Sequence, residues 1–364
     1  MKLSEITSFL EQKAPLSSQE SYDNSGLIVG SPEKEVNGAL LSLDCTEEII
    51  DEAIRLGINL VIAHHPIVFK GLKKLNGKNY VERTVIKAIK NDIAIYAIHT
   101  NLDNYQHGVN EEIGKRLGLE NLKVLAPKSR GVLKLVVFVP KENAEEVSKA
   151  LFMAGAGGIG EYKECSFETE GKGSFTPSGN ANPTIGQLNK REFVEETKIE
   201  VICPEHSLRR VLQAMNEAHP YEEVAHDIFP LLNSNQDEGA GMIGDLKESM
   251  DLEAFLSHLK NTFNCGSVKY TNSAKRKVKR IAFCGGSGAF LIPKAKSVGA
   301  DLFFTGDIKY HEFFDGEQNM IIADIGHYES EQFTPNLIHA ILSKKFTTFA
   351  VHLSKVNTNP INYL

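Results

Sequence analysis

The sequence predicts an α/β fold in which two related α/β lobes are interrupted by an α+β insert. Three observations predict it. Strand-like and helix-like segments alternate at both ends of the chain. The run Gly57-Ile58-Asn59-Leu60-Val61-Ile62 has a late counterpart in Gly299-Ala300-Asp301-Leu302-Phe303-Phe304. Between them a β-α-β pattern appears twice. The expected boundaries are 1–126 for the first lobe, 127–232 for the insert and 233–364 for the second lobe.

The first lobe opens on a helix over Leu3 to Lys13, followed by strands at Gly26 to Gly30 and Ala39 to Asp44. A helix from Glu47 to Leu56 has Thr46 as a suitable N-cap, acids in its first turn and Gly57 to end it in the left-handed conformation. The strand from Asn59 to Ala63 reads Leu60-Val61-Ile62-Ala63 without alternation, as expected for burial on both faces. A helix near Val81 to Lys90 and a strand at Ile93 to Ile98 complete the pattern. The second lobe repeats it, with strands at Arg280 to Cys284, Asp301 to Thr305 and Met320 to Asp324. In the insert, Val137-Phe138-Val139-Pro140 matches Val201-Ile202-Cys203-Pro204, each followed by an amphipathic helix and another strand. That is a split β-α-β, ferredoxin-like arrangement. Its Gly-, Ser-, Pro- and Asn-rich middle, Gly171 to Asn189, is expected to be a mobile loop.

Composition excludes several function classes. With 40 basic and 47 acidic residues the net charge is −7, which disfavours bulk attraction to nucleic acid or an anionic membrane. The longest basic run, Lys275 to Arg280, reads as a solvated strand entrance. No stretch of about 18 apolar residues occurs, and Met1 to Glu5 leads into no apolar run, so a cytoplasmic, unanchored protein is expected. Five cysteines without CxxC spacing argue against a disulfide framework or thiolate zinc site and are expected to be buried thiols.

Three segments carry the chemistry: His64-His65-Pro66, His99-Thr100-Asn101-Leu102-Asp103, and His327-Tyr328-Glu329-Ser330-Glu331. Histidine and carboxylate without thiolate suit a hydrolytic divalent-metal site. His64, His65, Asp103, His327 and Glu331 fit two cations if one carboxylate bridges and waters fill open positions. Pro66 ends the ladder and lets adjacent imidazoles serve one site, one for each metal; the alternative is a satisfied polar pair in a loop. His327 and Glu331 at i,i+4 share a helix face, or form only a surface contact. His99 is either a residue that fixes a ligand or a turn histidine. In Thr305 to Glu312, Lys309 could neutralise a phosphate and His311 could move protons, though both also suit a solvated helix. Cys284-Gly285-Gly286-Ser287-Gly288 is either a tight strand-to-helix turn or an anion cradle. His219 to His226 reads as a structural turn.

Together with Asp23-Asn24-Ser25-Gly26-Leu27, these motifs resemble the GTP cyclohydrolase 1 type 2 homologue family, also called Ngg-interacting-factor-like proteins. The resemblance covers both lobes, and the insert resembles the P-II-like or CutA-like domain of longer bacterial members. It implies a dinuclear site with His64, His65, Asp103, His327 and Glu331 as ligands and Glu331 as the bridge. It also implies a toroidal homohexamer with the sites facing an interior cavity. The implied cofactors are two divalent metal ions per chain, zinc foremost, with manganese, iron, nickel or magnesium as alternatives. The implied activity is metal-dependent hydrolysis of a nucleotide or related small molecule, with purine ring opening of GTP as the named case. The rival readings are a non-catalytic metal-stabilised scaffold or sensor, and a phosphodiesterase or phosphatase.

Overall fold

The computed structural model describes residues 1–129, 131–272, 276–317 and 319–364. In chain order the strands are β1 (Gly26–Val29), β2 (Gly38–Ser42), β3 (Leu60–Ala63), β4 (Ala94–Ala97), β5 (Glu120–Lys128), β6 (Val132–Pro140), β7 (Ser166–Phe175) and β8 (Glu192–Pro204). They continue as β9 (His226–Pro230), β10 (Asn235–Asp251), β11 (Lys269–Tyr270), β12 (Lys277–Ser287), β13 (Leu302–Gly306), β14 (Ile321–Asp324) and β15 (Ala350–Leu353). The chain divides into two compact units, Met1–Pro127 with Asp237–Leu364, and Lys128–Gln236.

The first unit holds two sheets, ordered β1-β4-β3-β2-β15 and β11-β14-β13-β12-β10-β5. Each has a parallel centre, β2-β3-β4 in one and β12-β13-β14 in the other. Of these, β2, β3, β4, β13 and β14 are buried along their whole length, which is why their sequences show apolar runs rather than alternation. Helices precede β3 and β13, and the glycine before each strand, Gly57 (φ 68) and Gly299 (φ 73), takes the left-handed turn that ends the helix. Thr46 holds the N-cap backbone position of Glu47–Leu56 without a side-chain capping bond. One apolar core joins the sheets, from Leu3 and Tyr96 to Phe283 and Phe304, whose rings stack at 5.3 Å.

The sheets do not follow the expected lobe boundaries. β15 pairs in parallel with β2 of the first sheet, and β5 closes the edge of the second. The lobes thus exchange edge strands, which local periodicity has no means to signal because pairing across some 300 residues is a tertiary choice. The entrance of β12 is exposed at Lys277, Lys279 and Arg280 around buried Val278; Lys275 of the basic run lies outside the described residues.

The second unit is an antiparallel sheet ordered β7-β8-β6-β9, with helices Ala144–Met153 after β6 and Leu208–Ala218 after β8. Both helices pack on the sheet through a core that includes Leu135, Val137, Ile199, Val201 and Met215. The expected loop over Gly171 to Asn189 begins later than its composition suggests. Residues up to Phe175 continue β7 in register with β8, because backbone pairing does not require apolar side chains. Of the cysteines, Cys45, Cys203, Cys265 and Cys284 are buried, whereas Cys165 is partly exposed.

Candidate metal centre

The carboxyl ends of the parallel strands carry the candidate ligands, where open α/β sheets place their sites. β3 continues its ladder one step beyond Ala63, with His64 N–H donating to Ser42 and His65 N–H to Leu43, before Pro66 ends it. The two rings lie 5.0 Å apart. Asp103 comes from the short helix after β4, and His327 and Glu331 come from the one-turn helix His327–Glu331 after β14.

Glu331 is buried, and its two oxygens face different partners. Oε2 lies 3.0 Å from His65 Nε2 and 3.1 Å from His327 Nε2. Oε1 lies 3.8 Å from His64 Nε2, which is itself 3.5 Å from Asp103 Oδ1. The five residues therefore form two trios, His65–His327–Glu331 and His64–Asp103–Glu331, each compact enough to hold a cation and sharing one carboxylate. His64 Nε2 and Asp103 Oδ1 are buried without a hydrogen-bond partner. Unpaired buried polar atoms are costly, and a cation between them would satisfy both. The donor set fits a divalent metal.

Each imidazole is fixed from behind. His64 Nδ1 meets the Ile98 carbonyl at 2.8 Å, His65 Nδ1 meets Asp44 at 2.8 Å, and His327 Nδ1 meets Asp307 at 2.7 Å. This arrangement donates Nδ1–H outward and leaves Nε2 free to face inward, the usual support of metal-binding histidines. His99 has the same support, 2.7 Å from Asp23, and its ring lies 5.2 Å from that of His64 and 5.3 Å from that of His65.

Without a cation the cluster balances its own charge. Burial opposes a proton on His65 and His327, yet neighbouring carboxylates outweigh it and push their pKa values up to about 9 and about 11. Burial alone would raise Glu331, but His327 and hydrogen bonds from the surrounding imidazoles hold it ionised. Burial, reinforced by the Glu331 charge, pushes the Asp103 carboxyl up to about 8. Metal binding must therefore displace protons.

The trios open on a cleft of about 410 Å³ whose lining includes Glu20, Tyr22, Phe69, His99, Asn104 and Phe290. Tyr22, Phe69 and Phe290 leave much of their rings exposed.

Residues 1–360 match the Duf34/NIF3 (NGG1p interacting factor 3) family. The chain belongs to the Duf34/NIF3 family. Among its NIF3 relatives, a Halalkalibacterium halodurans protein is 39% identical over 364 residues, covering 99% of this chain and 98% of its own. One from Staphylococcus epidermidis is 37% identical over 367 residues, with full coverage of both. Both are named GTP cyclohydrolase 1 type 2 homolog. A solved Bacillus cereus protein related to NIF3 superposes with a TM-score of 0.88 at 40% identity, covering 100% of this chain and 99% of that one.

Within this NIF3 chain, Lys309 and His311 stand apart from the cluster. Both are exposed, neither lines the cleft, and the His311 ring contacts Tyr310 and Phe314. The Cys284–Gly288 run joins strand to helix as expected, with β12 extending to Ser287 and Gly288 capping the helical turn Ala289–Leu291. Gly285, Gly286 and Gly288 already donate their N–H groups to Asn110, Ser330 and Thr305, so they form no anion cradle. The glycines instead make room for the NIF3 centre, since a Cβ on Gly286 would stand 2.3 Å from Glu331 Oε1. Asp44, Asp307 and Asn110 were missed in the sequence. Asp44 and Asp307 follow the carboxyl ends of β2 and β13, a positional signal that could have found them. Asp307 also takes a left-handed backbone (φ 57), which aspartate tolerates, to reach His327.

Proposed function

We propose that this NIF3 chain is a dinuclear-metal hydrolase acting on a nucleotide or a related small molecule. The observation that carries the reading is Glu331, whose two oxygens divide between two histidine-containing trios. Two divalent cations held there, zinc foremost by donor chemistry, would lower the pKa of water and polarise the bond under attack. The protein supplies the rest. His64, His65, Asp103, His327 and Glu331 would hold the cations, and Asp44, Asp307 and the Ile98 carbonyl keep the imidazoles aimed. His99, held by Asp23 and lining the cleft, is placed to move a proton. Tyr22, Phe69 and Phe290 offer rings on which a base could stack, and Glu20 and Asn104 offer polar atoms to read its edge. Lys309 and His311 have no part in this reading.

The names of the relatives suggest GTP as the first substrate to test, with opening of its purine ring. Metal-restored wild type and Glu331→Ala, incubated with a nucleotide panel and phosphate esters, would be compared by product mass spectrometry. Turnover by wild type alone is expected. Equal turnover by both, or by neither, overturns the hydrolase reading, and phosphate release without ring opening would favour a phosphodiesterase or phosphatase.

One observation favours a second reading. The ligands come from both sheets, so metals would also fasten the halves of the first unit, as in a non-catalytic scaffold. Loss of thermal stability on chelation, with no turnover on any panel member, would select it. The strand order and two crossover helices of the second unit support a ferredoxin-like, P-II/CutA-like domain with a sensing or assembly role. Assembly as a homohexamer follows from the family resemblance, and light scattering at six chain masses is its test.

A further inference from the structure

The segment after β15, Ser354 to Tyr363, is spent on three buried or half-buried carboxylates. Ser354 Oγ and Lys355 N–H both donate to Glu52. Thr358 Oγ1 donates to Asp44 Oδ2 at 2.6 Å, while the other oxygen of the same carboxylate holds His65 Nδ1. Asn359 Nδ2 (3.3 Å) and Tyr363 Oη (2.9 Å) donate to Glu329 Oε1, on the short helix between His327 and Glu331. The Tyr363 ring lies against Gly266, where an added Cβ would come within 2.1 Å of Cδ2. The segment thus ties β2 and its carboxyl end to the helix that carries two of the candidate ligands.

We propose that this segment is a positioning strap for one of the two metal positions, that of His65, His327 and Glu331. The proposal rests on the dinuclear reading above. A carboxylate bonded at one oxygen only can rotate, and Thr358 removes that freedom from Asp44, so His65 keeps Nε2 aimed inward. The helix His327–Glu331 is a single turn, too short to hold its own shape, and its buried Glu329 receives its partners from Asn359 and Tyr363. The other trio meets the strap only through the shared Glu331. His64 is fixed by the Ile98 carbonyl, and Asn110 Nδ2 donates to the Asp103 carbonyl at 3.0 Å. The Thr358–Asp44 arm of the strap therefore acts on one position alone, whereas the Tyr363–Glu329 arm reaches both through Glu331.

The test is titration of metal-free, full-length protein with Zn²⁺ against a chromophoric chelator, for wild type, Thr358→Val, Thr358→Ser and Tyr363→Phe. Thermal melts of each metal-free protein run alongside. Wild type is expected to bind in two resolvable steps. Thr358→Val should weaken one step about 10- to 100-fold, the usual effect of losing a group that orients a ligand, and leave the other within about twofold, whereas Tyr363→Phe should weaken both, one more than the other. Thr358→Ser, which keeps the hydroxyl, should restore the wild-type step. Unchanged steps in both variants, or equal weakening of both steps by Thr358→Val in parallel with a lowered metal-free melting temperature, would overturn the strap. Fewer than two ions on wild type would overturn the dinuclear reading instead, and the strap with it.

Discussion

Glu331 answers to both histidine sets because its carboxylate is held against the backbone of β12, and that approach is possible only beside glycine. Gly286 has φ +62 and would place a Cβ 2.3 Å from Oε1. Gly286→Ala should therefore cost about 1–3 kcal/mol in backbone strain alone and weaken metal binding at both positions. Calorimetry and metal titration of the same sample would check it. Glu331→Gln removes the shared charge, and metal content by elemental analysis should fall from near two ions per chain to well below one. His99→Gln should keep its metal, since His99 belongs to neither trio that shares Glu331, yet lose roughly 10²- to 10⁴-fold in turnover if it moves the proton. Retained turnover at full metal content would remove His99 from the reaction.

Short elements at strand ends do the positioning, and they borrow stability from what they touch. The turn His327–Glu331 is held by Ser330, whose hydroxyl accepts from Gly286 N–H and donates to the His327 carbonyl. In the second unit the helix Leu208–Ala218 ends on His219, which donates from Nε2 to the Phe138 carbonyl and accepts from Tyr221 N–H at Nδ1. Acceptance at Nδ1 requires the neutral ring. Burial holds its pKa below the ordinary value, against the opposing pull of the Phe138 carbonyl. Below pH about 6.5 the unfolded chain therefore binds more protons at this position than the folded one, so stability is present above that pH and falls as acid is added. Denaturant unfolding at pH 7.5 and 5 should show the loss, and His219→Gln should shrink the difference.

The two sheets of the first unit share one core and exchange edge strands, so the metal centre is assembled by the packing of the whole unit rather than by either half. His65 and Glu331 meet although 266 positions separate them. Metal that binds only this assembled form adds to its stability by mass action, about 2.7 kcal/mol for one site at a free concentration one hundred times the dissociation constant. Chelation should lower the melting temperature by several degrees, and adding back Zn²⁺ should restore it in proportion to the logarithm of its concentration. A melting temperature indifferent to chelator would mean that the ligands do not close around a cation. Among the described residues no helix is long and apolar enough to cross a membrane.

The alternating elements, the buried parallel strands and the positions of the two histidine-bearing strand ends were legible in the sequence, because each depends on local patterning and on where a ladder stops. The i,i+4 spacing likewise placed His327 and Glu331 on one face of a helix. The exchange of β5 and β15 between sheets, the pairing of Asp44 and Asp307 with the imidazoles, and the strap from Ser354 to Tyr363 were not legible. The same is true of the exclusion of Lys309 and His311 from the cleft, since a side chain's surroundings depend on which distant segments pack beside it. The sequence determined which atoms could bind a metal. Tertiary packing decided which of them face each other, because only the folded unit fixes the rings from behind and turns their inward nitrogens toward Glu331 and Asp103.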